Sequence, residues 1–134
     1  GRGDLKDNIR MLKGTGANGE GVMAAGPKFE VAEQLPDSDP QKAPLLRFRD
    51  AYRKKHNQDP NQFGGGAYDA FQILSAALQK GGTDPATLCA AIAGTRNYAG
   101  VGGVYNYSDA DHSGLTKDAV VVYKVQDGKW RLVR

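Results

Sequence analysis

Residues 63–78 read Phe63-Gly64-Gly65-Gly66-Ala67-Tyr68-Asp69-Ala70-Phe71-Gln72-Ile73-Leu74-Ser75-Ala76-Ala77-Leu78, the most apolar stretch of the chain. Beyond the glycines, only Asp69, Gln72 and Ser75 interrupt it with polar groups. Tyr68, Phe71, Ile73, Leu74, Ala77 and Leu78 predict a helix that is buried on most sides, and Gly81-Gly82 stops it. Working upstream, Leu45, Phe48 and Tyr52, with Leu46 and Ala51, predict an amphipathic helix over 41–56. Its outer face carries Arg47, Arg49, Asp50, Arg53, Lys54 and Lys55, and Asn57-Gln58-Asp59-Pro60 ends it. Downstream, Thr83-Asp84-Pro85 supplies a cap and a first-turn proline for a short helix over 85–93, with Leu88 and Ile92 inward.

Strand signals lie at both ends. Gly21-Val22-Met23-Ala24-Ala25 reads as a short buried strand that Gly26-Pro27 breaks. Residues 27–44, with Pro27, Pro36, Pro40 and Pro44, read as an extended connecting segment. Val104-Tyr105-Asn106-Tyr107 is β-rich, and Asp109 to Gly114 is a polar turn. Runs at 119–125 and 130–133 flank Gln126-Asp127-Gly128-Lys129, and Asp-Gly between apolar runs predicts a hairpin. Near the start, Leu5, Ile9 and Leu12 are spaced for a helix over 4–13, with Asp4 as its cap and Gly14-Thr15-Gly16 as its end. Helices and strands mix without strict βαβ alternation, so the expected class is α/β, and no internal repeat is present.

The chain has 134 residues, 40% apolar and 25% charged, which is one domain's worth of globular sequence. No run approaches the roughly 18 consecutive apolar residues of a membrane-spanning helix. Net charge is 18 minus 15, or +3, and the cations are scattered apart from Arg53-Lys54-Lys55. Binding through phosphates needs a concentrated basic face, so no nucleic-acid partner is expected. Glycine is abundant, 18 of 134 residues, which points to many turns and close backbone approaches. The single cysteine, Cys89, leaves no internal disulfide, and its alanine-rich surroundings predict that it packs as a small apolar side chain. The opening Gly1-Arg2-Gly3-Asp4 lacks an initiator methionine, so a processed product or a fragment is expected.

No catalytic set assembles. Asp109-x-Asp111-x-Ser113-Gly114 begins like a calcium loop, but position twelve is Val120, where the oxygen cage needs a bidentate carboxylate. A turn in which Asp and Ser side chains accept from local amides is the expectation there. His56 and His112 have no ligand-like spacing, and no nucleophile elbow or phosphate loop is present. Gly64-Gly65-Gly66, ahead of a helix, suits either anion binding by free amides or close packing of the helix against backbone. No metal and no cofactor is implied, and a binding role is expected in preference to catalysis. An interaction or sensor module is a second reading of the same chain.

Several segments in order then resemble a known family. They are Glu20-Gly21-Val22, Leu35-Pro36-Asp37-Ser38-Asp39-Pro40, Phe48 with Tyr52, Ala67 to Leu74 with Ala76-Ala77-Leu78, Gly100-Val101-Gly102-Gly103, Asp111 to Leu115, and Asp127-Gly128-Lys129-Trp130. The set resembles the C-terminal part of the periplasmic branched-chain amino-acid binding proteins, the type I solute receptors of ABC importers. The resemblance implies part of a fold of two three-layer α/β/α lobes that close on a ligand. Residues 1–27 would belong to the second lobe, 28–116 to the first, and 117–134 to a closing hairpin of the second. It further implies periplasmic localisation, capture of an amino acid or aromatic acid, and docking on a membrane permease. Either the missing N-terminal half or a second copy of the chain would cover the apolar helices. By resemblance Tyr68 lines the ligand side-chain pocket and Asp4 meets the ligand α-ammonium, while a core role for Tyr68 and an N-cap role for Asp4 stay open.

Overall fold

The computed structural model describes residues 14–133. Along them run β1 (Met23–Pro27), a set of 3-10 turns (Lys28–Gln34), α1 (Lys42–His56), α2 (Gln62–Gly81), α3 (Pro85–Ala93), β2 (Tyr98–Ala99), β3 (Val104–Tyr105), β4 (Val120–Gln126) and β5 (Lys129–Val133). The helix expected over 4–13 lies outside the described residues. Helices and strands are mixed, in keeping with the expected α/β class.

The hairpin forms where Asp-Gly predicts it. Asp127 (φ 53°) and Gly128 (φ 66°) both take the left-handed conformation, which matches the right-handed twist of the flanking strands. Val125 pairs with Trp130 and Tyr123 with Leu132 across β4 and β5. The Glu20 carboxylate accepts from the Asp127 amide at 3.0 Å and the Gly128 amide at 2.7 Å, so it ties the turn to the chain ahead of β1. β1 joins antiparallel to β4, which gives a sheet in the order β1-β4-β5.

β1 corrects two expectations. It is an edge strand with Met23 and Ala25 exposed, and it includes Gly26 and Pro27 rather than ending before them. Pro27 sits at the last pairing position of an edge, where the missing N–H disturbs the ladder least. Gly26 is required by packing, since a Cβ there would overlap the Tyr123 hydroxyl. The extended connection expected over 27–44 is also corrected. Lys28–Gln34 winds into 3-10 turns kinked at Val31, and this buries Val31 and Ala32. Burial of those side chains outweighs the local preference for extension around the prolines.

Those turns join two small cores. Val31 packs with Tyr123, Val125 and Trp130 on one face of the sheet. Ala32 and Leu35 pack with Leu45, Phe48 and Val101 against α1, and Leu132 touches both groups. Gln34 sends its amide to the free edge of β5, donating to the Trp130 carbonyl and accepting from the Leu132 amide, each at 2.9 Å. A side chain thus supplies the pairing that another strand would give.

α1 buries Leu45 and Phe48 as the spacing predicts, and its C-cap Asn57 is left-handed. α2 starts at Asn61, whose side chain accepts from the Gly64 amide at 2.9 Å. Its inner stripe is Gly65, Asp69, Ile73 and Ala77, while Phe63, Tyr68, Phe71, Leu74 and Leu78 are exposed. The expectation of a helix buried on most sides therefore fails within the described residues. Small side chains face inward and the large ones outward. α3 has the expected Asp84 cap and first-turn proline, but none of its residues is fully buried. Cys89 on it is exposed, which corrects its expected place in a core. β3 stops at Tyr105, because the Asn106 side chain accepts from the Asn97 amide and its own amide donates to the Gly114 carbonyl.

Candidate functional site

The inner and outer faces of α2 meet at adjacent residues, Asp69 and Tyr68. Asp69 is 1% exposed. Its carboxylate accepts from the Val101 amide at 2.9 Å, the Gly102 amide at 2.7 Å and the Tyr105 hydroxyl at 3.3 Å. The glycines of Gly100-Val101-Gly102-Gly103 permit this wrap, since a Cβ on Gly100 would stand 2.6 Å from the carboxylate. A Cβ on Gly65 would collide with Val101, so this glycine in the first turn of α2 serves close packing, and Asn61 occupies the Gly64 amide.

The clamp continues toward the sheet. Gln41, buried at the start of α1, donates from its amide toward the carbonyls of Gly100 (3.3 Å) and Val101 (3.4 Å). Its backbone amide donates to Asp39, and Asp39 pairs with the buried Lys28 ammonium at 2.7 Å. A continuous polar line thus runs from the end of β1 through α1 to the glycine loop on α2.

Tyr68 points the other way. It is 42% exposed, and its ring lies 5.1 Å from Phe48, which in turn contacts Tyr52 and Phe29. It is therefore both a packing partner of α1 and an accessible aromatic face. Tyr98, Tyr105 and Tyr107 form a second aromatic row with ring centres about 6 Å apart. Burial raises the Tyr98 hydroxyl to about 12, helped by the nearby charge of Asp69 and by Tyr68, with Arg47 working against them. Burial, then the Asp69 charge and hydrogen bond, push Tyr105 higher still. These hydroxyls stay protonated and act as hydrogen-bond donors.

Of the sequence-predicted contacts, Tyr68 sits on the outward face of α2, and Asp4 lies outside the described residues. The loop that begins like a calcium site is the expected turn: Asp111 Oδ1 accepts from the amides of Ser113 (2.9 Å) and Gly114 (3.0 Å). His56 and His112 are exposed and far apart in the chain. Sequence reasoning missed the part played by Asp69. The available signal was a carboxylate inside an apolar helix together with a downstream loop of alternating glycines.

The sequence profile of the periplasmic binding proteins matches residues 4–129. The architecture matches the Rp1789 protein of Rhodopseudomonas palustris strain CGA009 with a TM-score of 0.78 and 25% identity, covering 94% of this chain and 38% of that one. It also matches an extracellular ligand-binding receptor of Rhodopseudomonas palustris HaA2 (TM-score 0.77, 26% identity, 93% of this chain and 37% of the other). A Rhodospirillum rubrum protein assigned to branched-chain amino acid ABC transport matches with a TM-score of 0.68 and 28% identity, over 93% of this chain and 34% of that one. No curated protein sequence matches the chain. The chain spans little more than a third of the length of the structures it resembles, and it corresponds to part of the type I periplasmic binding protein fold.

Proposed function

The chain belongs to the periplasmic binding protein family, and from that membership we propose that it forms the C-terminal part of a solute receptor for an ABC-type importer. The receptor captures an amino acid or a related small carboxylate in a cleft between two lobes and presents it to a membrane permease on the outer side of that membrane, in the periplasm. The protein binds and releases; it carries out no reaction on the ligand. Residues 1–27 belong to the second lobe, 28–116 to the first, and 117–134 close the second.

The observation that carries this reading is the outward row of α2. Phe63, Tyr68, Phe71, Leu74 and Leu78 are large, apolar and exposed on one helix. An apolar face of that extent is costly to leave in water, at about 25 cal/mol per Å². The N-terminal part of the fold would cover most of it, and Tyr68, second in that row, would turn its ring to the ligand's side chain. A branched-chain amino acid suits such a ring, and the Rhodospirillum rubrum relative is assigned to branched-chain amino acid transport. Asp4 supplies the carboxylate for the ligand ammonium, through a charge-assisted hydrogen bond.

Thermal-shift measurement tests this with a panel of amino acids and aromatic acids. The chain is run alone and together with the N-terminal part of the Rhodopseudomonas palustris receptor fold. Binding at a hundredfold excess over Kd stabilises by about 2.7 kcal/mol. The rise should appear only with both pieces present and be lost in Tyr68→Ala. If no panel member stabilises the assembled pair, the receptor reading fails.

A further inference from the structure

Glu30 is the group in this fold whose surroundings are least suited to its charge. It sits in the first 3-10 turn after β1, and its Oε2 is buried with no hydrogen-bond partner among the described residues. The indole Nε1 of Trp130 is buried and unpartnered as well. The segment that carries Glu30 packs on β4, β5 and α1. On the sheet, strand alternation turns Tyr123, Val125, Trp130 and Leu132 inward and leaves Lys124, Lys129 and Arg131 exposed on the opposite face. Tyr123 is the titratable side chain on the inward face, and the Glu30 charge reaches it.

Cations of its own segment and of α1 are engaged with other carboxylates. Lys28 pairs with Asp39 at 2.7 Å, and Arg49 of α1 pairs with Glu33 at 2.8 Å and with Asp50. Lys42 pairs with Asp37, and Arg53 pairs with Asp59. Glu30 therefore sits within electrostatic reach of Tyr123, on a segment packed against the sheet, and no ion pair reaches it among the described residues. We propose that Glu30 is a proton-operated latch: the 3-10 segment stays packed on the sheet while the buried carboxyl is neutral, and loss of the proton drives the side chain out and loosens that junction.

Desolvation raises the Glu30 carboxyl from 4.5 to about 7, which puts the transition near neutral pH. The tethers on either side limit the movement. Gln34 holds the downstream end to β5, and Lys28 holds the upstream end to Asp39. The loosened state is thus a local opening between two anchors, and the loss of the whole fold is not required. The latch stands on this chain's own packing and does not depend on the receptor reading.

Trp130 is the single tryptophan, so its emission reports this junction alone. In the parent chain the emission should shift between pH 5.5 and 8.5 with a midpoint near 7. In Glu30→Gln, which keeps the shape of the neutral acid, the curve should be flat and should stay at the low-pH value. A carbon-13 titration of the Glu30 side-chain carboxyl provides the second reading. A carboxyl midpoint near 4.5, or an emission curve unchanged by Glu30→Gln, overturns the proposal.

Discussion

Removing the Asp69 carboxylate is the sharpest test of how α2 is tied to the rest of the fold. In Asp69→Ala the amides of Val101 and Gly102 lose their shared acceptor in a buried loop. Each orphaned buried donor costs about 1–3 kcal/mol. The Tyr105 hydroxyl, at 3.3 Å and on a half-buried ring, adds little. Relief from burying a charge offsets part of the loss, which leaves about 2–5 kcal/mol. Asp69→Asn has nearly the same volume, so it separates hydrogen bonding from packing. Its carbonyl accepts one amide while its NH2 group opposes the other, and a loss of about 2–4 kcal/mol follows. Urea unfolding monitored by far-ultraviolet circular dichroism measures both variants, with Gly100→Ala as a third. A Cβ on Gly100 meets the carboxylate at 2.6 Å, so Gly100→Ala destabilises the parent and does less harm once Asp69 is Ala. The coupling in that double-mutant cycle should exceed about 1 kcal/mol. Losses below about 0.5 kcal/mol in both Asp69 variants, or strictly additive effects, would refute the clamp.

Glu30 makes stability depend on pH. Its carboxyl is raised from 4.5 to about 7 by burial, so between those values the folded chain holds a proton that the unfolded chain has lost. Stability therefore falls as pH rises from 4.5 to 7 and levels off above 7. The whole shift corresponds to about 3 kcal/mol, and residual contact with water reduces the effect to about 1–2 kcal/mol. Glu30→Gln should raise the melting temperature at pH 8 and leave it nearly unchanged at pH 4.5. Gly26→Ala should destabilise by about 1–3 kcal/mol through overlap with Tyr123, and Tyr123→Phe should recover part of the loss in a denaturant titration. Gln34→Ala frees the β5 edge and should cost about 1–2 kcal/mol, with faster amide exchange at Leu132. Phe71→Ser on the outer row of α2 should leave the urea midpoint within about 0.5 kcal/mol of the parent and reduce self-association in sedimentation, because Phe71 is 65% exposed.

What could be read from the sequence was local. The Asp127-Gly128 turn, the Asp84-Pro85 helix start and the Leu45-Phe48 spacing each specify their structure within a few residues, and each forms as expected. The misreadings share a different cause. The turns at Lys28–Gln34 form because Val31 meets Tyr123 and Trp130 from the far end of the chain, a gain that no local window contains. Asp69 reads as a polar interruption until the loop 32 residues downstream is folded onto it. Cys89 lies in an apolar run, yet the helix that carries it packs by a thin face and leaves the thiol exposed. Of the candidate contacts, Tyr68 was legible as an aromatic on an apolar helix. Whether its ring faces inward or outward was not, since neighbouring helical positions differ by about 100° and either face was apolar enough to be the core.

The two faces of α2 also bear on what the described residues are built to do. The inward stripe is Gly65, Asp69, Ile73 and Ala77, which gives little apolar area to the two small cores. Attachment of the helix relies instead on the polar links from Asp69 to the Gly100–Gly103 loop, with Val101 of that loop seated on Gly65. Links of this kind fix orientation well and contribute modest net stability. The outward row holds the large side chains, where area-driven stabilisation is greatest once they are covered. A helix placed by polar links on one side and supplied with aromatic and aliphatic groups on the other suits a face that is held in position for a second body. The proposed receptor needs that division, because a lobe that closes on a ligand must present Tyr68 at a fixed angle before the ligand arrives. If the outer row proved dispensable for binding once the N-terminal part was present, while the Asp69 clamp still stabilised the chain, the polar links would be architecture alone and the case for a ligand at Tyr68 would fall.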